Sequence, residues 1–271
     1  RAAAYRKAYR TLPHMEIVYE DEDILILNKP AGVLSQKAAA GDSSANEWFL
    51  GYLLFTYGTD VSHETNAPYM FRGFVPSVCN RLDRNTSGLL LCGKTLAGSR
   101  FLSALLKERT LEKYYVCIAR GKLEGAFTLH SLLEKDETKN IVRETTGVKA
   151  SARLAETEFT PLAYFEEGVG GRDCTALYAR LLTGKTHQIR AQLSGAGHPI
   201  AGDPKYGDLS WNTRLKKEGI GRQLLHAYSV VFPKHTEEER FAHLSGRSFH
   251  AAPPEDMARF FPDTLSACPI V

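Results

Sequence analysis

From Met15 onward the chain sets short apolar runs between polar punctuation, and the period of each run separates strands from helices. Glu16-Ile17-Val18-Tyr19-Glu20-Asp21 predicts a strand and Glu22-Asp23 a turn. Ile24-Leu25-Ile26-Leu27 predicts a buried strand that stops at Asn28-Lys29-Pro30-Ala31-Gly32, because Pro30 lacks a ladder donor. Residues 43–57 carry Trp48, Phe49, Leu50, Leu53, Leu54 and Phe55 behind Ser44, a candidate N-cap, and predict an amphipathic helix with its apolar side on the core. Its aromatics are assigned to packing. Gly58 to Phe74 has no period and predicts a loop, with His63 facing solvent. Leu89 to Cys92 predicts a short strand. Thr95 caps a helix to about Arg109 with Phe101, Leu102, Leu105 and Leu106 on one face, and Lys107 and Arg109 suit its negative end. Lys113 to Gly121 alternates as a strand. Further strands are expected over 125–165, with the charged run Glu134 to Asn140, containing Lys135 and Lys139, as a solvated hairpin tip. A strand ends at Gly184, and Thr186 is placed to cap a short helix. A strand over Leu224 to Phe232 and a last short helix over about Glu255 to Phe261, after Pro253-Pro254, complete the pattern.

Composition narrows the classes. The 271 residues, 43% hydrophobic, suffice for one large core or two small ones. We expect a basic arm over residues 1–14 and one domain over 15–271, with no repeat or linker inside it. No apolar run approaches the roughly 20 residues that span a bilayer, and nothing at the N-terminus reads as a signal peptide, so a soluble, cytoplasmic protein is expected. The five cysteines, Cys79, Cys92, Cys117, Cys174 and Cys268, are odd in number and contain no C-x-x-C pair. That pattern predicts reduced core residues and argues against a disulfide framework or zinc knuckle. A net charge of +3 does not by itself announce a nucleic-acid partner. Arg1, Arg6, Lys7 and Arg10 form a local basic cluster, read as a frayed terminus. The chain opens on Arg1, and an upstream segment is expected.

Candidate chemistry concentrates in two places. Asn80-Arg81-Leu82-Asp83-Arg84-Asn85-Thr86-Ser87-Gly88-Leu89-Leu90-Leu91 puts one carboxylate between two arginines on a polar loop and feeds it into an aliphatic strand through Gly88. Taken alone, this is a solvated turn with an ordinary ion pair. Leu181-Leu182-Thr183-Gly184-Lys185-Thr186-His187-Gln188-Ile189-Arg190 and Gly197-His198-Pro199-Ile200-Ala201-Gly202-Asp203-Pro204-Lys205-Tyr206-Gly207 form the second. On their own, Tyr115 is a core tyrosine and Lys29 a strand-end lysine in water. His187, His198 and His226 read as histidines satisfied by neighbouring hydrogen bonds, not as metal ligands.

Together these stretches resemble the RluA family of pseudouridine synthases. Residues 80–90 are similar to its HRLD-x-x-TSG-LL signature and Lys29-Pro30-Ala31-Gly32 to its K-P-x-G entry. Lys113-Tyr114-Tyr115 matches K-x-Y, residues 183–190 TG-[RK]-THQIR, residues 197–207 GHPI-x-GD-x-x-YG, and Leu225-His226-Ala227 a terminal LHA strand. The resemblance spans roughly residues 15 to 262. It implies an α+β fold with a mixed, largely antiparallel sheet bent around a central cleft and flanked by helices. It also implies isomerisation of uridine to pseudouridine in structured RNA. Ribosomal RNA is the preferred substrate and transfer RNA the alternative, with no cofactor, no metal, no membrane and a monomeric enzyme. Asp83 is implied as nucleophile, Tyr115 and Ile189 as the residues holding the base, and Arg190 as the salt-bridge partner keeping Asp83 charged where water is excluded. Arg81 is implied to fill the space of the flipped nucleotide. Arg84 and Lys29 are implied to line the RNA side.

Two departures accompany the match. Asn80 stands where many relatives have histidine, and the small S4-like RNA-binding module of many relatives has no counterpart in these residues. Two rivals stay open at this level. One is a non-catalytic RNA-binding or folding factor on the same fold. The other is a glycoside-processing enzyme using Asp83 and Asp203 as a carboxylate pair.

Overall fold

A computed structural model describes residues 2–58, 73–136, 141–145, 151–261 and 265. His63, Glu137, Lys139 and Cys268 lie outside the described residues. The chain forms two compact units, Arg1–Leu111 with Phe232–Ala251 and Glu112–Val231 with Ala252–Val271. The fold is α+β, as expected.

In the first unit, helix α1 (Ala2–Thr11) replaces the expected frayed arm. Its Tyr9 ring lies 5.2 Å from Trp48 and 4.8 Å from Phe55 on helix α2 (Ala45–Tyr57), and Ala8 is fully buried. This contact explains a departure from the predicted amphipathic pattern. With α1 covering one side, α2 buries Glu47 through Leu50, Gly51, Leu53 and Leu54, so it is apolar nearly all round. Gly51 is required at the crossing, because a Cβ there would strike the Tyr5 carbonyl. Ser44, extended at the N-cap, bonds the Glu47 carboxylate through its hydroxyl, the Ser-x-x-Glu spacing of a helix start.

Strand β1 (Glu16–Glu20) pairs antiparallel with β2 (Ile24–Lys29) across a turn in which Asp21 Oδ1 accepts from the Asp23 and Ile24 amides, both at 2.8 Å. A two-residue strand β3 (Ser77–Val78) and β2 both pair antiparallel with β4 (Ser87–Gly93). Ile24 through Leu27 have no exposed surface, as an uninterrupted aliphatic run between two strands requires. Helix α3 (Leu96–Glu108) starts where Thr95 Oγ1 accepts from the Gly98 amide at 3.0 Å, and ends at Arg109 in the left-handed region.

The second unit is an antiparallel sheet of β5 (Glu112–Arg120), β6 (Phe127–Asp136), β7 (Ile141–Glu144), β8 (Arg153–Phe165), β9 (Cys174–Leu181) and β10 (Leu225–Val231). Its order is β10-β5-β9-β8-β6-β7. The two-residue period of β5 divides the core. Cys117 and Ala119 join one apolar cluster with Ile189 and Leu193 of helix α4 (Gln188–Gly195). Tyr114, Val116 and Ile118 join another with Trp211 and Leu215 of helix α5 (Leu209–Lys217). Helix α5 was not anticipated. Its signals are Asp208, whose carboxylate accepts from the Trp211 amide at 2.9 Å, the apolar pair Trp211 and Leu215 one turn apart, and a basic last turn. The last helix, α6 (Glu255–Ala258), is shorter than predicted. Among the described residues no helix is long and apolar enough to cross a membrane.

Candidate active site

The Asp83 loop is fixed from behind, residue by residue. The Ser35 hydroxyl donates to the Leu82 carbonyl and accepts from the Leu82 amide, each at 2.9 Å. On the other side of Asp83, the Arg84 carbonyl accepts from the Gly32 amide at 2.9 Å and from the Lys29 ammonium at 3.1 Å. The Thr86 amide closes the turn onto the Asp83 carbonyl at 3.0 Å. Both neighbours of Asp83 are thereby pinned, while its own side chain stays partly exposed and Arg81 and Arg84 are exposed. The chain then enters β4 through Gly88, whose φ of +113° is closed to other residues.

Lys29 is not a strand-end lysine in water. It is fully buried, and its ammonium donates to the carbonyls of Pro30, Val33 and Arg84 at 2.9, 2.8 and 3.1 Å. Charge-assisted bonds to oriented carbonyls offset the cost of taking a cation out of water. Asn80 is also structural. Its side-chain carbonyl accepts from the Leu91 amide at 2.8 Å and its amide donates to the Leu89 carbonyl at 3.3 Å, so it continues the ladder of β4. Ser35 carried no signal in the sequence, because a single serine after an apolar pair has no period and no spacing to mark it.

In the second unit Tyr115 sits half-buried on β5 between Ala227 of β10 and Ala179 of β9. Two cross-strand methyl groups leave the tyrosine ring without bulky flanks. The ring packs against the cluster that contains Ile189, which is 3% exposed at the start of α4. The start of α4 differs from expectation, because the cap position falls to His187 in the left-handed region and not to Thr186. Gln188 secures this turn. Its carbonyl accepts from the Thr183 hydroxyl and the Lys185 amide, and its amide donates to the Glu156 carbonyl and Thr157 hydroxyl.

Arg190 is buried and holds Asp203 in a two-point pair, Nε to Oδ2 at 2.7 Å and Nη2 to Oδ1 at 2.8 Å. Burial alone would push the Asp203 carboxyl up. The Arg190 guanidinium and the amides of Lys205 and Tyr206 bring it below the usual carboxylate value. With both oxygens engaged, Asp203 is a structural acceptor and a poor candidate for acid–base work, which removes the basis of the glycosidase-like pair. Tyr206 completes the cluster. Its ring lies under the Arg190 guanidinium, and its hydroxyl accepts from the Val142 amide and bonds His187 Nδ1. His198 Nδ1 bonds the Arg120 carbonyl at 2.8 Å, so His187 and His198 are both engaged by neighbours.

The order of these parts along the chain can be compared with known proteins. The family model described as RNA pseudouridylate synthase matches residues 23–195, which include Lys29, the Asp83 loop, Tyr115 and the Ile189-Arg190 turn. The chain belongs to this family. Among curated relatives, the Ribosomal large subunit pseudouridine synthase C of Vibrio parahaemolyticus is 32% identical over 229 residues, covering 84% of this chain and 64% of the relative. That of Vibrio cholerae is 33% identical over 225 residues, covering 83% and 63%. The chain thus spans just under two thirds of the length of these relatives. Among solved structures, Human RNA Pseudouridylate Synthase Domain Containing 4 aligns with a TM-score of 0.67 at 18% identity over 96% of each chain, a likeness of fold. Within the RNA pseudouridylate synthase family match, the pinned loop carries the Asp83 carboxylate just ahead of strand β4.

Proposed function

We propose that the chain isomerises specific uridines to pseudouridine in structured RNA, with ribosomal RNA as the substrate class. The observation that carries this is the family match over residues 23–195, joined to a loop that immobilises both backbone neighbours of Asp83. The names of the curated relatives favour large-subunit ribosomal RNA over transfer RNA. The protein would act as a cytoplasmic monomer.

The reaction is internally balanced. The bond from ribose C1′ to base N1 breaks, the base turns within the site, and C1′ bonds C5. C5 gives up its proton and N1 gains one, so no redox partner is needed. In this reading the Asp83 carboxylate attacks C1′ as the bond to N1 breaks, and leaves as a carboxylate when C5 bonds C1′. Tyr115 and Ile189 hold the freed base, the ring offering a stacking face. Arg190 is assigned to keep the Asp83 carboxylate charged. Arg81 occupies the place of the extruded nucleotide, a step that offsets an unstacking cost of a few kcal/mol. Arg84 contacts phosphate, and Lys29 acts by holding the loop that presents Asp83.

Tritium release from 5-labelled uridine in a large-subunit ribosomal RNA transcript tests the reading. The intact protein should release tritium and Asp83→Asn should release none while still binding the transcript. Undiminished release by Asp83→Asn would end the mechanism. Mapping pseudouridines in cells lacking the protein would identify the position, and loss confined to transfer RNA would move the substrate class.

A further inference from the structure

At the end of the second unit's sheet, Arg120, Arg172 and Arg214 line one open cavity of about 420 Å³ together with Gly121, Gly171 and Asp173. The three arginines come from separate elements: the last residue of β5, the turn before β9, and the second turn of α5. Asp208, the cap of α5, organises two of them. It forms an ion pair with Arg120 and lies 3.8 Å from Arg172, whose Nη2 donates to Ser210 Oγ at 2.9 Å. Arg120 is also fixed by donating to the Gly197 carbonyl at 3.1 Å. Arg214 is different. Among the described residues its guanidinium has no hydrogen bond or ion pair, and it is exposed.

We propose that this cavity binds a phosphate of the RNA backbone, at a point separate from the target nucleotide. Charge supports the choice. Against three guanidinium groups stand one lining carboxylate, Asp173, already engaged by the Glu167 amide at 3.0 Å, and the Asp208 carboxylate that pairs with Arg120 and Arg172. One positive charge is left over, matched to a phosphodiester monoanion more closely than to a free phosphate dianion. Asp208 stays ionised, held down to about 2 by the Ser210 hydroxyl and the Trp211 amide, so it keeps Arg120 and Arg172 in place. Gly121 and Gly171, both at positive φ, keep side chains out of the cavity mouth.

Position supports the separation. Arg120 and Tyr115 are five residues apart on β5, about 17 Å along the strand, and the two-residue period puts them on opposite faces. The phosphate therefore belongs to a flanking segment of the RNA. This inference rests on the RNA reading above.

Fluorescence anisotropy with a large-subunit ribosomal RNA transcript at several salt concentrations tests it. Arg214→Gln loses no side-chain partner, and an unchanged melting curve will show that the fold is intact. Its affinity should fall about threefold to tenfold at 0.1 M salt, and the slope of log K against log salt should drop by about 1. Lys217→Gln, on the same helix outside the cavity, should change the slope by less than half as much. Arg172→Gln should reproduce the Arg214→Gln effect. Equal effects of Arg214→Gln and Lys217→Gln would reduce the cavity to general surface charge and overturn the proposal. If titration with inorganic phosphate or pyrophosphate shows binding that Arg214→Gln removes while the RNA slope stays unchanged, the site serves a small anion and the RNA assignment is wrong. An inert intact protein in the tritium assay would sink the proposed activity, whereas the anisotropy series would still decide the cavity.

Discussion

Lys29 and Arg84 are joined, 55 positions apart in the chain, by a 3.1 Å hydrogen bond from a buried ammonium to a backbone carbonyl. The bond ties the end of one central strand to the residue that follows the candidate nucleophile. Replacing Lys29 by methionine keeps the volume and removes the donor, leaving the Pro30 and Val33 carbonyls and one acceptor site at Arg84 unmet. We expect a loss of about 3 kcal/mol or more in urea unfolding, since each unsatisfied buried group costs about 1–3 kcal/mol. Turnover should fall further than the folded fraction does.

Ser35 does for the Leu82 side what Lys29 does for the Arg84 side. Ser35→Ala removes one hydroxyl but breaks two hydrogen bonds, and should cost about 1–3 kcal/mol. Amide exchange at Leu82 is the direct readout. It should accelerate strongly in the variant, and protection equal to that of the parent would show that the loop is held by other means.

The Arg190–Asp203 pair predicts a pH dependence with a definite sign. The folded-state carboxyl is depressed below the ordinary aspartate value of 3.8, so its contribution to stability is complete above that value and is lost as pH falls through the folded one. Asp203→Asn should therefore cost about 3–5 kcal/mol at pH 7, the usual penalty for stranding one member of a buried ion pair. The gap between parent and variant should close as pH falls below 3.8. A gap constant from pH 7 to pH 3 would mean that the carboxylate charge is not what stabilises the site.

Much of the fold was legible because burial imposes a period. The run Ile24 to Leu27, the Thr95-capped helix and the alternation of Lys113 to Gly121 each follow from where water is excluded. Motif spacing marked the Asp83 loop and the turn before Arg190. What escaped was contact between segments distant in sequence. Nothing local to residues 2–11 says that Tyr9 will meet Trp48, so the helix looked like a loose arm. The anchoring roles of Ser35 and Lys29 depend on carbonyls that only the tertiary structure brings within reach. Helix α5 was missed for another reason. Its apolar stripe is just Trp211 and Leu215, too short for a period to stand out from its charged neighbours.

Strand β5 works as a partition, with Tyr115, proposed to hold the base, on one side and guanidinium groups gathered on the other. Parity enforces the arrangement. Inserting or deleting a single residue between Tyr115 and Arg120 would turn one of them to the wrong side and push apolar neighbours into the other's compartment. Length changes in this stretch are tolerable only in pairs, so relatives should differ here by substitution and seldom by an odd-numbered gap.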